Sequence, residues 1–428
     1  MIVTLVKGAL KILSNRSLGI ALNLFSLVLL TRITEQATVG TILIFTSIYF
    51  PLSVLLRFGL EQTMLKFAAD AYPSHSANNL LRAKILKSYV LISGTLILVF
   101  FVGVQLLVED DSHQHMLKIF AWAWLSALTF ILSEQLLGNR KFFIGSMTKN
   151  SIAPLITSSF FLYFYLSKSS IYLDDILSVY IISFAVTTLI VLKLVLNIGT
   201  AEMPKQVQDI NIKLLITFSI PLLFVQSINF LNAQSDIWFI ASSFDKNTVA
   251  YYGVAAKIVF FVSFFLTISS AALAPYVAEY RRENKLQQLQ LLAQKIATIA
   301  LFPGLAFFIV IQIFAETILN VLYGPDYTQG ANILRIASAG QLIGAIVGPC
   351  GYLLIMFEKG RQIARLSIFT TLVLISMMCL GYALELPIEF FAFCTASATI
   401  IYQLGLWHLC KTLCSIKSHV SFGVFNVR

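Results

Sequence analysis

The sequence predicts an all-α polytopic membrane protein of about 12 transmembrane helices in two six-helix lobes, residues 1–200 and 201–428, with both termini cytoplasmic. Three observations carry that prediction. Twelve apolar runs are long enough, or nearly so, to cross a bilayer; Lys and Arg crowd every second gap between them; and the two halves share a short motif at corresponding positions. A hydrocarbon core ~30 Å thick needs about 20 helical residues. Twelve such runs consume more than half of 428 residues and leave little chain for a soluble domain.

The runs follow in order. The first, 10–30, has basic residues ahead of it like a signal peptide, but no small-residue cleavage site follows Leu30, so an uncleaved span is expected. Spans 39–56 and 86–107 bracket a basic stretch that includes Arg82, Lys84 and Lys87. An acidic loop with Glu109, Asp110, Asp111, His113 and His115 then leads to span 117–137, which carries Glu134 and Gln135 near its inner end. Spans 151–167 and 176–196 close the first half. The second half holds 214–241, 249–270, 292–314, 332–357, 364–384 and 388–410. Pro51, Pro154, Pro221, Pro303 and Pro349 lie in or near spans, where a missing backbone donor bends a helix. Trp122, Trp124, Trp238 and Trp407 fall near inferred span ends, as interfacial anchors do; for Trp238, beside Asp236, stacking on a sugar is the alternative.

Orientation comes from the charges. Alternate gaps, counted from the N-terminus, hold 24 of the 30 Lys and Arg residues. The opposite side holds Arg32, Lys118, Lys168, Lys246 and Arg335, and Lys257 remains inside a span. Basic excess marks the cytoplasmic side. The net charge of +10 is therefore mostly topology, and no basic domain exists to bind nucleic acid.

The same inventory excludes much chemistry. No Gly-rich phosphate loop ends in Lys-Ser/Thr, so the chain does not carry its own ATPase, and no Cys/His spacing suits zinc. Four of five cysteines lie in apolar runs, where thiols behave as small hydrophobes. Glu385 and Glu389 look like a carboxylate pair, but they flank a short external turn around Pro387. An enzyme is not expected, and neither a cofactor nor a metal is called for. A membrane glycosyltransferase or polymerase would need a large external loop or an acidic catalytic motif. A passive scaffold would not need charges inside its spans.

Polar residues that interrupt apolar spans are the candidates for a substrate path. Gln226, Asn229 and Asp236 share one face of span seven, with Asn232 beside them. Lys257 enters span eight, and Arg335, Ser338 and Gln341 follow one stripe of span ten. Arg32 and Arg57 stand at span ends, where snorkelling is the competing explanation. For the amides the competing explanation is hydrogen-bonded glue between helices. Ionisable groups inside a membrane point to function by default.

The halves repeat at an offset of 210 residues: Thr38-Val39-Gly40 precedes span two and Thr248-Val249-Ala250 precedes span eight. Repeats of the same orientation, related by an axis along the membrane normal, place a substrate site between halves in known transporters. The segment from Arg32 to Gly40, then span two, then Arg57-Phe-Gly-Leu-Glu-Gln-Thr-Met-Leu-Lys66, resembles the opening of bacterial Wzx-type polysaccharide flippases. Those belong to the multidrug/oligosaccharidyl-lipid/polysaccharide (MOP) exporter superfamily. Thr248 to Lys257, Ala271 to Pro275 and Tyr323-Gly-Pro-Asp-Tyr327 extend the resemblance over most of the chain, with Ala250 departing from a usual Gly.

The resemblance implies a MATE-like fold in the bacterial inner membrane. It also implies a substrate, an oligosaccharide linked to undecaprenyl diphosphate, flipped to the external leaflet for O-antigen or capsule assembly. Its partners are then the lipid-linked oligosaccharide, membrane lipids, a polysaccharide polymerase and, if transport is coupled, a proton or sodium ion. A MATE-like drug/cation antiporter is the alternative; it would favour acidic residues in the cleft, whereas only Asp236 lies well inside a span.

Overall fold

The computed structural model describes residues 2–70, 75–107, 113–197 and 212–421, apart from 272, 274, 275, 278, 279, 281, 282 and 284. Helices dominate. The first half contains α1 (Ile2–Ile33), α2 (Gln36–Arg57), α3 (Leu60–Asp70), α4 (His75–Leu107), α5 (His113–Gly138), α6 (Phe142–Asn150), α7 (Ile152–Ser167) and α8 (Leu173–Leu196). The second contains α9 (Ile212–Ser243), α10 (Lys246–Ala271), α11 (Leu286–Tyr323), α12 (Ala331–Val347), α13 (Cys350–Met356), α14 (Gly360–Ala383) and α15 (Ile388–Leu413).

Every apolar run is helical, span ten as two helices, because only a helix satisfies its own backbone in lipid. Among the described residues nine helices are long and apolar enough to span, or ten if the two arms of α9, bent by 42° on either side of Asn229, count as one. The expected 12 is not reached on that measure. Helix α4 is not among the nine, and α7, at 16 residues, is about 24 Å long, short of the ~30 Å core. The surface confirms the solvent: large exposed side chains include Leu166 at 71% and Val99 at 69%. This is a multi-pass membrane protein.

The chain forms two compact units: Leu10–Thr38 with Ile44–Phe230, and Met1–Ala9 with Val39–Leu43 and Leu231–Arg428. The division expected at 200/201 lies outside the described residues, as do Ser112, Asn284 and the acidic loop residues 109–111.

In the unit built on Ile44–Phe230, Leu56, Leu60, Met64, Ile85, Tyr89, Ala127 and Ile131 form an apolar core across α2 to α5. Paired hydroxyls lock its helices: Ser26 with Ser158 at 2.7 Å, Ser53 with Ser126 at 2.8 Å and Thr129 with Thr188 at 2.7 Å. Helix α2 ends at Phe58, whose φ of 51° is left-handed and whose N–H reaches Val54 and Leu55 carbonyls. Gly59 continues the turn at φ 74°, and a Cβ there would stand 2.5 Å from the Ser219 carbonyl oxygen, so this position accepts only glycine. Trp122 is no interfacial anchor. It is 3% exposed and sandwiched between Tyr49 (3.8 Å) and Tyr180 (4.4 Å).

In the other unit, the N-terminal ends of α2 and α10 pack closely beside Gly40 of the repeated motif. A Cβ on Gly40 would collide with the Lys246 carbonyl oxygen, and one on Gly253 would lie 2.6 Å from Leu43 Cδ1. Span ten breaks at Gly348-Pro349, dividing it into α12 and α13. Residues 415–421 then run back as an extended strap over that break. Ser418 Oγ donates to the Val347 carbonyl (3.0 Å) and the Val420 N–H to Ile346 (2.9 Å). The Lys417 N–H reaches Gln290 Oε1 and the Ser421 N–H reaches Thr298 Oγ1. Ile416 and Ser418 are fully buried.

Candidate functional site

Two polar clusters interrupt the apolar interior, one in each unit. The first lies in the unit that carries Leu231–Arg428. Asp236, on the second arm of α9, is half-buried; its Oδ1 accepts the Ile237 N–H at 2.8 Å and its Oδ2 accepts the Tyr252 hydroxyl at 3.3 Å. Tyr252 is 2% exposed and also meets the Thr395 side chain of α15. Lys257 lies near the middle of α10 with its side chain exposed, and its ammonium is attracted to the Asp236 carboxylate. The structure thus brings Lys257 and Asp236 into one electrostatic neighbourhood and adds Tyr252. Nothing in the aromatic-rich sequence of α10 had singled out that tyrosine.

The other candidates of this unit are tied to helices. Asn232 Nδ2 donates to Thr371 Oγ1 at 2.6 Å, linking α9 to α14. Arg335 bonds Asn332 Oδ1 (3.1 Å) and the Gln312 carbonyl (3.3 Å) and pairs with Glu316 (3.4 Å), binding α12 to α11. Ser338 receives Gln312 Nε2 at 3.0 Å, and Gln341 is half-buried on the same helix.

The second cluster lies in the unit of Ile44–Phe230. Arg57 does not snorkel: it is 6% exposed, its guanidinium carbon stands 4.5 Å from the Phe130 ring centroid, and its Nε donates to the Ser53 carbonyl. Its Nη1 is 3.8 Å from Glu61 Oε1, an oxygen that also accepts from Gln226. Lys149 approaches the same ring at 5.6 Å and pairs with Glu134. Two cations and two carboxylates therefore balance around one phenyl ring. Glu61 Oε2 and Glu134 Oε2 are buried without a hydrogen-bond partner, each at a cost of about 1–3 kcal/mol.

The single polar face expected for span seven is divided. Gln226 belongs to this second cluster, Asn232 and Asp236 lie beyond the bend at Asn229, and the Asn229 side chain lies outside the described residues. Arg32 is exposed in the last turn of α1. Among the described residues no group of three or more His, Cys, Asp or Glu is placed to hold a metal ion.

A family model named MatE matches residues 221–380, and no curated protein matches the chain in sequence. An inward-facing multidrug resistance MATE family transporter of the MOP superfamily superposes with a TM-score of 0.71 at 12% identity, covering 95% of this chain and 98% of that one. The fold is MATE-like. A MOP-superfamily transporter from Pyrococcus furiosus, described by a binding pocket of reversed polarity, is similar at a TM-score of 0.68 and 13% identity, with 96% of each chain covered. The lipid II flippase MurJ in an inward closed conformation gives 0.68 at 15% identity, covering 92% of this chain and 86% of the other. The MATE-like fold thus spans almost the whole chain. The proteins that share it in these comparisons are transporters and a flippase, and none is described as an enzyme.

Proposed function

We propose that this chain is a MOP-superfamily transporter of the bacterial inner membrane that flips an oligosaccharide linked to undecaprenyl diphosphate to the external leaflet, for surface-polysaccharide assembly. In this reading it has two six-helix lobes, 1–200 and 201–428, with cytoplasmic termini. The observation that carries it is Lys257: an ammonium in mid-span with its side chain exposed. On insertion scales such a charge costs ~2.5–3.5 kcal/mol near the bilayer centre, so the position answers to an anion or a wet path. A diphosphate supplies the first and needs the second. Sugar hydroxyls and phosphates lose hydrogen bonds in hydrocarbon, each worth several kcal/mol, whereas the polyprenyl tail stays in lipid. Asp236, its carboxylate bonded by the Tyr252 hydroxyl, is the counter-charge to that ammonium between substrates.

Drug/cation antiport is the second reading, and the comparisons favour it over the first. The MatE match falls on residues 221–380, and a multidrug transporter superposes with a TM-score of 0.71. Against it stand the exposed Lys257 and the likeness to a lipid II flippase. Proteoliposomes decide between them. We expect an undecaprenyl diphosphate-linked oligosaccharide to change leaflet only when the protein is present. Efflux of a cationic dye driven by a proton or sodium gradient, without movement of the lipid-linked sugar, would establish the antiporter instead.

A further inference from the structure

Three helices of one unit end together around a cavity. Helix α9 stops at Ser243, α14 stops at Ala383 and α15 starts at Ile388. The cavity between them measures about 450 Å³ and is lined by Ser242, Ser243, Phe244, Tyr382, Glu385 and Phe391, among others. Its floor is fixed: Phe391 is fully buried and meets Phe244 edge-on, with centroids 5.8 Å apart. Its rim is the turn after α14. There Glu385 adopts a left-handed φ of 51°, held by its own N–H to the Tyr382 carbonyl (3.3 Å) and by the Leu386 N–H to Gly381 (3.0 Å). That backbone is disfavoured for a non-glycine residue.

The chemistry of the lining is one-sided. Ser242 and Ser243 both spend their hydroxyl hydrogens on the Phe239 carbonyl at 2.8 Å, so they offer the cavity only lone pairs. Tyr382 and Glu385 are exposed, and no ion pair to Glu385 occurs among the described residues. Aromatic rings, acceptors and one carboxylate line the space, and no cationic side chain does. An anion is repelled there. A cation bearing N–H donors meets ring faces and a charge partner.

We propose that this cavity binds an alkylammonium group, supplied by the ethanolamine headgroup of a membrane lipid. The depth is right, since helix ends lie in the polar zone of a bilayer. Exposed apolar side chains for the acyl chains stand on the segment that lines it: Leu380 and Leu384 are 53% and 59% exposed. This neighbourhood favours a lipid over a free amine. Its lining shares no residue with the Lys257–Asp236 neighbourhood, and the inference does not depend on which substrate the protein carries.

Native mass spectrometry of the full chain in detergent tests the assignment, with dioleoylphosphatidylethanolamine, dioleoylphosphatidylglycerol and free ethanolamine as probes. The ethanolamine lipid is expected to be retained at least about fivefold over the glycerol lipid, a ratio within the range of one desolvated cation–ring contact. Glu385→Gln is expected to abolish the preference. Glu385→Gly removes the same carboxylate while relieving the left-handed backbone, so it is expected to lose the preference in a protein that folds at least as well. Equal retention of both lipids, or an undiminished preference in the two variants, would overturn the site. Free ethanolamine displacing the lipid at equal concentration would overturn the lipid as its source.

Discussion

Lys257 and Asp236 carry opposite charges in mid-helix, and exchanging them separates a fixed ion pair from a working one. If the pair only holds α9 to α10, the swapped protein inserts and transports normally. If Lys257 meets substrate, the swap inserts stably but loses export, and Lys257→Arg retains part of the activity because it keeps the charge in a different shape. We expect the second outcome, read by leaflet transfer in proteoliposomes alongside the melting temperature. Asp245 supports the entry to α10. Its carboxylate accepts the Thr248 N–H at 3.1 Å, and the Thr248 hydroxyl and that N–H together hold its pKa below the usual carboxylate range. Stability from this cap is therefore present above the unfolded value of about 3.9 and is lost as pH falls through the lower folded value. Asp245→Ala is expected to cost ~1 kcal/mol at neutral pH, with the difference from native shrinking on acidification, as denaturant midpoints would record. Residue identity alone marked Lys257 and Asp236, because charge inside an apolar run stands out. It did not mark Tyr252 or the burial of Arg57. Tyr252 gains its role from a carboxylate on another helix, and Arg57 from a phenyl ring 73 positions away in the sequence.

At the scale of helices, hydropathy located the spans because lipid leaves the backbone no other partner than itself. Span ten is drawn unbroken over 332–357 in the sequence, with Pro349 only one of five residues able to bend a helix; the break at Gly348-Pro349 emerges in the structure. The bend of α9 falls at Asn229, two turns beyond Pro221, so the proline did not locate it. Gly40 of the repeated motif proved to be a contact. Gly40 lies against backbone of α10, which cannot yield, whereas Gly253 lies against the flexible Leu43 side chain. Gly40→Ala should therefore destabilise the protein by about 1–3 kcal/mol, the usual range for overpacking, and Gly253→Ala by less. Thermal unfolding of the two variants in one detergent compares them directly, and equal losses would mean that the seam adjusts as a whole.

For the molecule as a whole, the alternation of basic gaps fixes a testable orientation. In a background without native cysteines, Ser169→Cys should react with an impermeant maleimide on intact cells and Arg361→Cys should not; both positions are exposed. The reverse pattern would invert the topology and with it the direction of transport. The strap at 415–421 also bears on how the chain is made. The Val347 carbonyl waits for Ser418, 71 residues further along. At about 5–20 residues per second that interval is roughly 4–14 s of synthesis, during which α12 has left the ribosome with its last carbonyls uncapped. Until then the break in span ten has to be sheltered by lipid headgroups, water or the insertion machinery. A fusion partner joined directly after Leu413 would make that interim state permanent.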